Sequence, residues 1–211
     1  DCLVGSEMCI RDSIDTAMDS WITHEFDTKW EQQDWKLSLS RAGHIPGAGM
    51  LNIDTPSKNI LFTGDFDSRD SPLTNGAKPI KTDILFIEGT YGGKDHANQN
   101  EELNRFIDNI IRVTDKGGTV LIPAFANGRT QDMLMRLHQN CPELDVHVDG
   151  MGKRITKLYL ENTQFIRDPK ALNAAWNWCR RVASKSDRKK ALDSDVIIST
   201  SGMLQGGPAI W

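Results

Sequence analysis

Short apolar runs alternate with polar, glycine-bearing stretches along this chain, and their spacing predicts strands and helices. Trp35-Lys36-Leu37-Ser38-Leu39-Ser40 alternates with period two, the pattern of a half-buried strand. Pro46-Gly47 enforces a turn, Met50-Leu51-Asn52-Ile53 resumes a strand, and Lys58-Asn59 makes a hairpin-like turn into Ile60-Leu61-Phe62-Thr63. Asp83 precedes another apolar run, Ile84-Leu85-Phe86-Ile87, which the pattern predicts as a buried strand. From Asn98 to Val113, Leu103, Phe106, Ile107, Ile110 and Ile111 fall at helical spacing and predict an amphipathic helix.

The second half repeats one theme. Gly117-Gly118 turns into a short strand, Thr119 to Pro123, and Ala124-Phe125-Ala126-Asn127-Gly128-Arg129 opens a helix carrying Met133, Leu134 and Leu137. Val146-His147-Val148 predicts a strand, Asp149-Gly150 a turn, and Ile155 to Leu160 part of a helix. A further helix is expected over residues 170–183, then a buried strand, Asp195 to Ser199. Strands alternating with helices in this way predict an α/β fold with a mainly parallel sheet in the second half.

Three of these strands hand a polar residue to a glycine-bearing loop: His44 after Gly43, Asp65 after Gly64, and Glu88 before Gly89. Such positions fit a sheet whose one edge is lined by a site. Imidazole and carboxylate are ligands that zinc or manganese takes. Each also has an ordinary reading: Asp65 as a turn or cap aspartate, and the crowd of Asp67, Arg69 and Asp70 as a solvated loop. The loop before Arg129 reads equally as an anion site at a helix N-terminus or as a plain strand-to-helix turn with a surface arginine. Thr200-Ser201-Gly202 and Gly206-Gly207-Pro208 again put hydroxyls and bare amides at a strand end, which suits phosphate. His24 reads as a loop histidine, and His138 and His147 as packed or solvent-facing. Arg180, Arg181, Lys185, Arg188, Lys189 and Lys190 form the one basic concentration, a solvated face or a phosphate contact.

Composition narrows the class. The 211 residues are 38% hydrophobic and 26% charged, enough for a sizeable core. A formal net charge of -4 argues against coating nucleic acid by bulk electrostatics, although a bound divalent ion would add positive charge locally. No apolar run is long enough to span a bilayer, so no membrane role is expected. Cys2, Cys9, Cys141 and Cys179 show no Cys-x-x-Cys spacing, which fits a reducing, cytoplasmic setting.

Residues 1–12 resemble a translated sequencing-adapter scar and are set aside from the fold. The chain stops at Trp211 in the first turn of an expected helix, so a fragment of a longer protein is expected.

The motifs as a set resemble a known family. Ala42-Gly43-His44-Ile45-Pro46-Gly47 and Thr63-Gly64-Asp65-Phe66 resemble the third and fourth metal-ligand motifs of the metallo-β-lactamase fold. Glu88-Gly89-Thr90-Tyr91-Gly92 resembles the Glu-Ser-Thr-Tyr-Gly motif that introduces the β-CASP insertion. Pro123 to Asp132 and Thr200-Ser201-Gly202-Met203-Leu204 resemble signatures inside that insertion. In this order they are similar to the β-CASP ribonucleases, which include archaeal and eukaryotic cleavage and polyadenylation factor endonucleases and RNase J.

That resemblance implies the C-terminal part of a metallo-β-lactamase αββα sandwich over residues 13–92, followed by an incomplete β-CASP α/β domain over 93–211. It implies a zinc-dependent ribonuclease, endonuclease or 5′–3′ exonuclease, acting in RNA processing, 3′-end cleavage or decay through a metal-activated water. Two Zn2+ per full-length protein are implied, with Mn2+ as the substitute. His44 would bind one ion and Asp65 bridge both, and Glu88 would orient a downstream histidine. Arg129, Ser201 and Gly202 would hold the RNA backbone. RNA is the implied partner, with a homodimer or an RNA-processing complex as the assembly. The alternative is a catalytically inactive RNA-binding or scaffold subunit. The sequence departs from the family at Gly89, where serine is usual, and at Arg41, where a small residue is common. The His-x-His-x-Asp-His motif and two later histidine motifs are absent, so the chain alone is expected to be inactive.

Overall fold

The structure is a computed structural model and describes residues 7 to 210. The expected scar over residues 1–12 begins outside the described residues, and α1 (Glu7–Asp19) runs through its second half. No helix among the described residues is long and apolar enough to cross a membrane.

Two sheets organise the chain. The first holds β1 (Lys29–Gln32), β2 (Trp35–Arg41), β3 (Gly49–Asp54), β4 (Asn59–Phe62) and β5 (Ile84–Phe86) in that order. β1 to β4 are antiparallel neighbours, and β5 joins β4 in parallel. It follows that β2, β4 and β5 point the same way, so their C-terminal ends share one edge of the sheet. His44, Asp65 and Glu88 follow those three ends.

The second sheet, β6 (Val120–Pro123), β9 (Val196–Ser199), β7 (Val146–Asp149) and β8 (Arg180–Arg181) in spatial order, is parallel throughout. Its connections run through α2 (Gln99–Thr114), which leads in, α3 (Arg129–Asn140), α4 (Gly152–Glu161), α5 (Pro169–Trp178) and α6 (Lys185–Ala191). Asn98 caps α2 by accepting from the Asn100 and Glu101 amides, and Ser184 with Asp187 forms a capping box on α6. The α/β architecture expected from the alternation of elements is present, with a mixed sheet followed by a parallel one.

Two expectations need correction. The helix over 170–183 ends at Trp178, because Cys179 turns extended and Arg180–Arg181 pair with His147–Val148 as β8. The basic concentration is therefore split between a strand and α6, and two of its six cations are neutralised by carboxylates. Arg180 pairs with Asp145 at 2.9 Å, Arg188 with Asp149 at 2.8 Å, and Arg181 lies over the Trp176 ring. The run Ile84 to Ile87 is not buried: its four side chains are 40 to 56% exposed. β5 is the last strand of its sheet, and its Phe86 stacks on Phe62 with ring centroids 4.4 Å apart without a further layer closing over them.

The main core lies under the second sheet, built on Leu134, Leu137, Val146, Val148, Leu172, Val196 and Ile198. The first sheet has only a small cluster, Ala42, Met50, Leu61 and Ala77. Leu73, on the long loop between β4 and β5, is 2% exposed and buries itself in the core of the second sheet rather than its own. Beside it the Arg167 amide donates to the Leu73 carbonyl at 2.9 Å, and the Arg167 side chain donates to the Ser71 carbonyl and pairs with Asp70. Arg41, the departure noted above, makes a second tie. Its guanidinium sits 4.9 Å from the Phe26 ring and 5.8 Å from that of Phe165, and it donates to the Gln164 carbonyl.

Both cysteines in the described core, Cys141 and Cys179, are buried and free, and burial pushes the Cys179 thiol up to about 12. Neither is a nucleophile at neutral pH. His24 stacks on Trp30, His138 packs near Trp178, and His147 is buried beside Asp145.

Leu73→Ala removes a buried side chain at the joint between the two sheets. It is expected to lower unfolding stability by about 2–5 kcal/mol, measured by urea denaturation. A change below about 0.5 kcal/mol would show that Leu73 does not tie the sheets together.

Candidate functional site

The loop after β2 is shaped by a backbone constraint. Gly43 has φ +72°, and a side chain there would meet the Asp67 carbonyl at 2.4 Å and the Ala77 amide at 2.7 Å. Only glycine fits a left-handed conformation at such close approach. Around it the Asp67 amide donates to the Ala42 carbonyl, the Ala77 amide to the Asp67 carbonyl, and the buried Thr74 hydroxyl to the Gly43 carbonyl at 2.8 Å. These bonds lash the His44 loop to the loop after β4.

At the ends of β4 and β5, the Thr63 amide donates to the Phe86 carbonyl, and the Glu88 amide donates to the Thr63 hydroxyl at 3.3 Å. The Glu88 carboxylate accepts from the Thr90 amide at 2.9 Å. Hydrogen bonds from Thr90 hold the Glu88 carboxyl below the ordinary carboxylate range, with smaller contributions from the Phe66 amide and the His44 charge. Glu88 is thus an ionised acceptor at neutral pH, suited to orienting a donor rather than giving up a proton.

The second sheet contributes through the loop between β6 and α3. The Tyr159 hydroxyl bonds to the Asn127 side chain, the Thr130 amide and hydroxyl both donate to the Phe125 carbonyl, and buried Gln131 donates to the Ala126 and Gly152 carbonyls and the Thr156 hydroxyl. The polar run Thr130-Gln131-Asp132 is therefore internal scaffolding of the loop. The Arg129 and Thr130 amides are taken by the Asn127 and Phe125 carbonyls, so the cation this loop offers is the Arg129 side chain, 65% exposed. Gly128, with φ +81°, lies so close to Ile45 that a side chain would meet the Ile45 methyl at 2.5 Å. That contact sets Arg129 beside the His44 loop.

The result is a cavity of about 690 Å³ lined by His44, Asp65, Asp67, Glu88, Tyr91, His96 and Arg129, among others. A neighbouring cavity of about 380 Å³ shares His44, Asp67, Arg69 and Arg129 and extends to Asn127, Asp132 and Arg136. Four of the residues singled out in the sequence, His44, Asp65, Glu88 and Arg129, thus line one cleft. Ser201 and Gly202 stand apart from its lining: Gly202 lies against the Phe125 backbone, and the Ser201 hydroxyl accepts from the Met203 amide. His96 went unnoticed in the sequence, where the only signal was a histidine four residues past the Tyr91-Gly92 turn.

Charge in the cleft is mixed. Asp67 accepts from the Arg69 amide and both ends of its guanidinium, at 2.9 to 3.0 Å. Burial alone would raise the Asp67 carboxyl, but Arg69, aided by the His96 charge, brings it below the ordinary value. Asp132 braces the far wall through Arg136 at 2.9 Å and stands 4.0 Å from Arg129.

Among the described residues no three His, Cys, Asp or Glu side chains converge closely enough to hold a metal ion. His44 and Asp65 are donors of the right chemistry, but zinc sites take three or four protein ligands, so the residues here do not complete a metal shell.

No family model matches the chain. Among characterised proteins it is similar to RNase aCSPSF2 of Saccharolobus solfataricus, 33% identical over 199 residues, covering 92% of this chain and 40% of that protein. It is 33% identical over 196 residues to the "Probable RNase MJ4" of Methanocaldococcus jannaschii, covering 88% of this chain and 46% of the relative. The cleavage and polyadenylation specificity factor subunit 3 of Dictyostelium discoideum is 34% identical over 131 residues, 61% of this chain and 17% of the relative. This chain belongs to the β-CASP family. The β-CASP match extends over most of the chain, cleft loops included, while the chain spans less than half the length of these relatives.

Arg69→Gln is expected to raise the Asp67 pKa, since the guanidinium is gone and burial is then opposed only by the residue-69 amide and the His96 charge. Because the native Asp67 pKa is depressed, its stabilising contribution is full above the ordinary carboxylate range, about 3.9. It is lost as pH falls through the native value. The stability gap between wild type and Arg69→Gln should therefore narrow on acidification, and carboxyl NMR titration should show the upward shift. An unchanged Asp67 titration would refute the pairing.

Proposed function

We propose that this chain is the RNA-gripping part of a metal-dependent RNA-processing nuclease and supplies one portion of its metal site. The observation that carries this reading is the convergence of His44, Asp65 and Glu88, from three codirectional strands, with Arg129 from the other sheet on one cleft. The names of the relatives, RNase and cleavage and polyadenylation specificity factor, support RNA as the substrate.

In this reading His44 and Asp65 would hold zinc together with ligands beyond these two, and the metal would supply an activated water for phosphodiester hydrolysis. Glu88, held as a carboxylate by Thr90, orients a histidine from outside this chain. Arg129 contacts a phosphate with a charge-assisted hydrogen bond across the cleft. Ser201 and Gly202, on the loop packed behind Phe125, reach the backbone farther along the strand. The metallo-β-lactamase sandwich is the architecture proposed for residues 13–92 in the whole protein, and an RNA-processing complex or homodimer its assembly.

The chain by itself is expected to bind single-stranded RNA with an affinity that falls as salt rises, to hold fewer than two zinc ions, and to show negligible cleavage. Arg129→Gln should weaken RNA binding about tenfold, as loss of one charged hydrogen bond does. Fluorescence anisotropy with a labelled oligouridylate and zinc determination by mass spectrometry measure these. Two tightly held zinc ions per chain, or RNA binding indifferent to Arg129, would sink the reading.

A further inference from the structure

The segment after Glu88 carries an aromatic pair that neither the core nor the proposed metal site uses. Tyr91 is 60% exposed, and its ring meets that of His96 with centroids 4.5 Å apart and planes at 54°. The loop holds them by its own backbone: the Gly92 amide donates to the Gly89 carbonyl at 2.9 Å and the Lys94 amide to the Tyr91 carbonyl at 3.0 Å. Both rings line the same 690 Å³ cavity as His44, Asp65, Glu88 and Arg129. The cavity thus has an aromatic wall beside its metal-donor groups and a cationic side chain among its other lining residues. Neither Tyr91 nor His96 belongs to either hydrophobic cluster, so apolar packing within the chain does not account for their placement.

We propose that Tyr91 and His96 form a stacking platform for one unpaired nucleobase, adjoining the phosphate that Arg129 holds. The inference rests on the RNA reading above and adds to it the part of the substrate that the loop would recognise. A phosphate contact alone leaves the flanking base free to turn. An aromatic face beside it fixes the nucleotide, and does so for any base, because every base has a π-face. The platform would therefore make the cleft select single-stranded substrate without strong sequence preference, since a paired base has both faces already stacked.

The test measures binding of this chain to oligouridylate, to the same RNA with one abasic residue placed at successive positions, and to an RNA carrying 2-aminopurine. Wild type should lose about tenfold in affinity when the abasic residue falls at the stacked position, and 2-aminopurine there should be quenched on binding. Tyr91→Ala should bind intact RNA about tenfold more weakly and gain nothing from the base over the abasic site, whereas Tyr91→Phe should stay within about twofold of wild type. Equal losses in Tyr91→Phe and Tyr91→Ala would assign the contact to the hydroxyl and overturn the platform. RNA binding by wild type with no abasic penalty at any position would overturn it while leaving the RNA reading intact. Failure of the wild-type chain to bind any RNA would overturn the RNA reading and the platform with it.

Discussion

Everything at the cleft depends on a close backbone contact at Gly43. The turn after β2 passes within van der Waals range of the Asp67 carbonyl and the Ala77 amide, which leaves no room for a β-carbon. Three hydrogen bonds, from Asp67, Ala77 and Thr74, close around that contact. The neighbouring residue, His44, is therefore placed by covalent geometry and backbone bonds rather than by side-chain packing. Beyond it Ile45 presses on Gly128, and Arg129 enters the cleft as a consequence. Placement of a histidine and an arginine from different sheets thus follows from two glycines, one on each side of the joint.

The distribution of packing explains how the joint holds. The first sheet has four buried apolar residues in its own cluster, while the second has a continuous core. Leu73 and Arg167, with Arg41 between Phe26 and Phe165, attach the weaker layer to the stronger one. Arg41 packs between Phe26 of the first half and Phe165 of the second and donates to the Gln164 carbonyl, and it is not among the residues lining the 690 Å³ cavity.

Electrostatics in the cleft follow from local pairing. Glu88 is held ionised by Thr90, Asp67 by Arg69, and Asp132 sits between Arg136 and Arg129. Asp65, Asp67, Glu88 and Asp132 put four carboxylates near one surface. Arg69 and Arg136 neutralise Asp67 and Asp132, Asp65 and Glu88 keep their negative charge, and the exposed Arg129 guanidinium stands among them as a cation. The wider basic concentration of residues 180–190 plays less of a part, because Arg180 and Arg188 are consumed by Asp145 and Asp149.

Much of this was legible in the chain itself. Period-two alternation located the strand at 35–40, short apolar runs those at 50–53, 60–63, 119–123 and 195–199, and helical spacing the helix after Asn98, because each is a pattern local to its element. The strand-end positions of His44, Asp65 and Glu88 were equally visible, since glycine and polar residues after an apolar run are local signals. What the pattern could not carry was direction and environment. Only the antiparallel pairing of β2 with β3 and of β3 with β4, with β5 parallel to β4, turns three strand ends toward one edge, and only the contact of Ile45 with Gly128 adds Arg129 to them. The exposed faces of β5, the early end of the 170–183 helix at Cys179 and the presence of His96 in the cleft are likewise tertiary facts. An apolar run reads the same whether or not another layer covers it, and a lone histidine acquires meaning from neighbours that lie far away in the sequence.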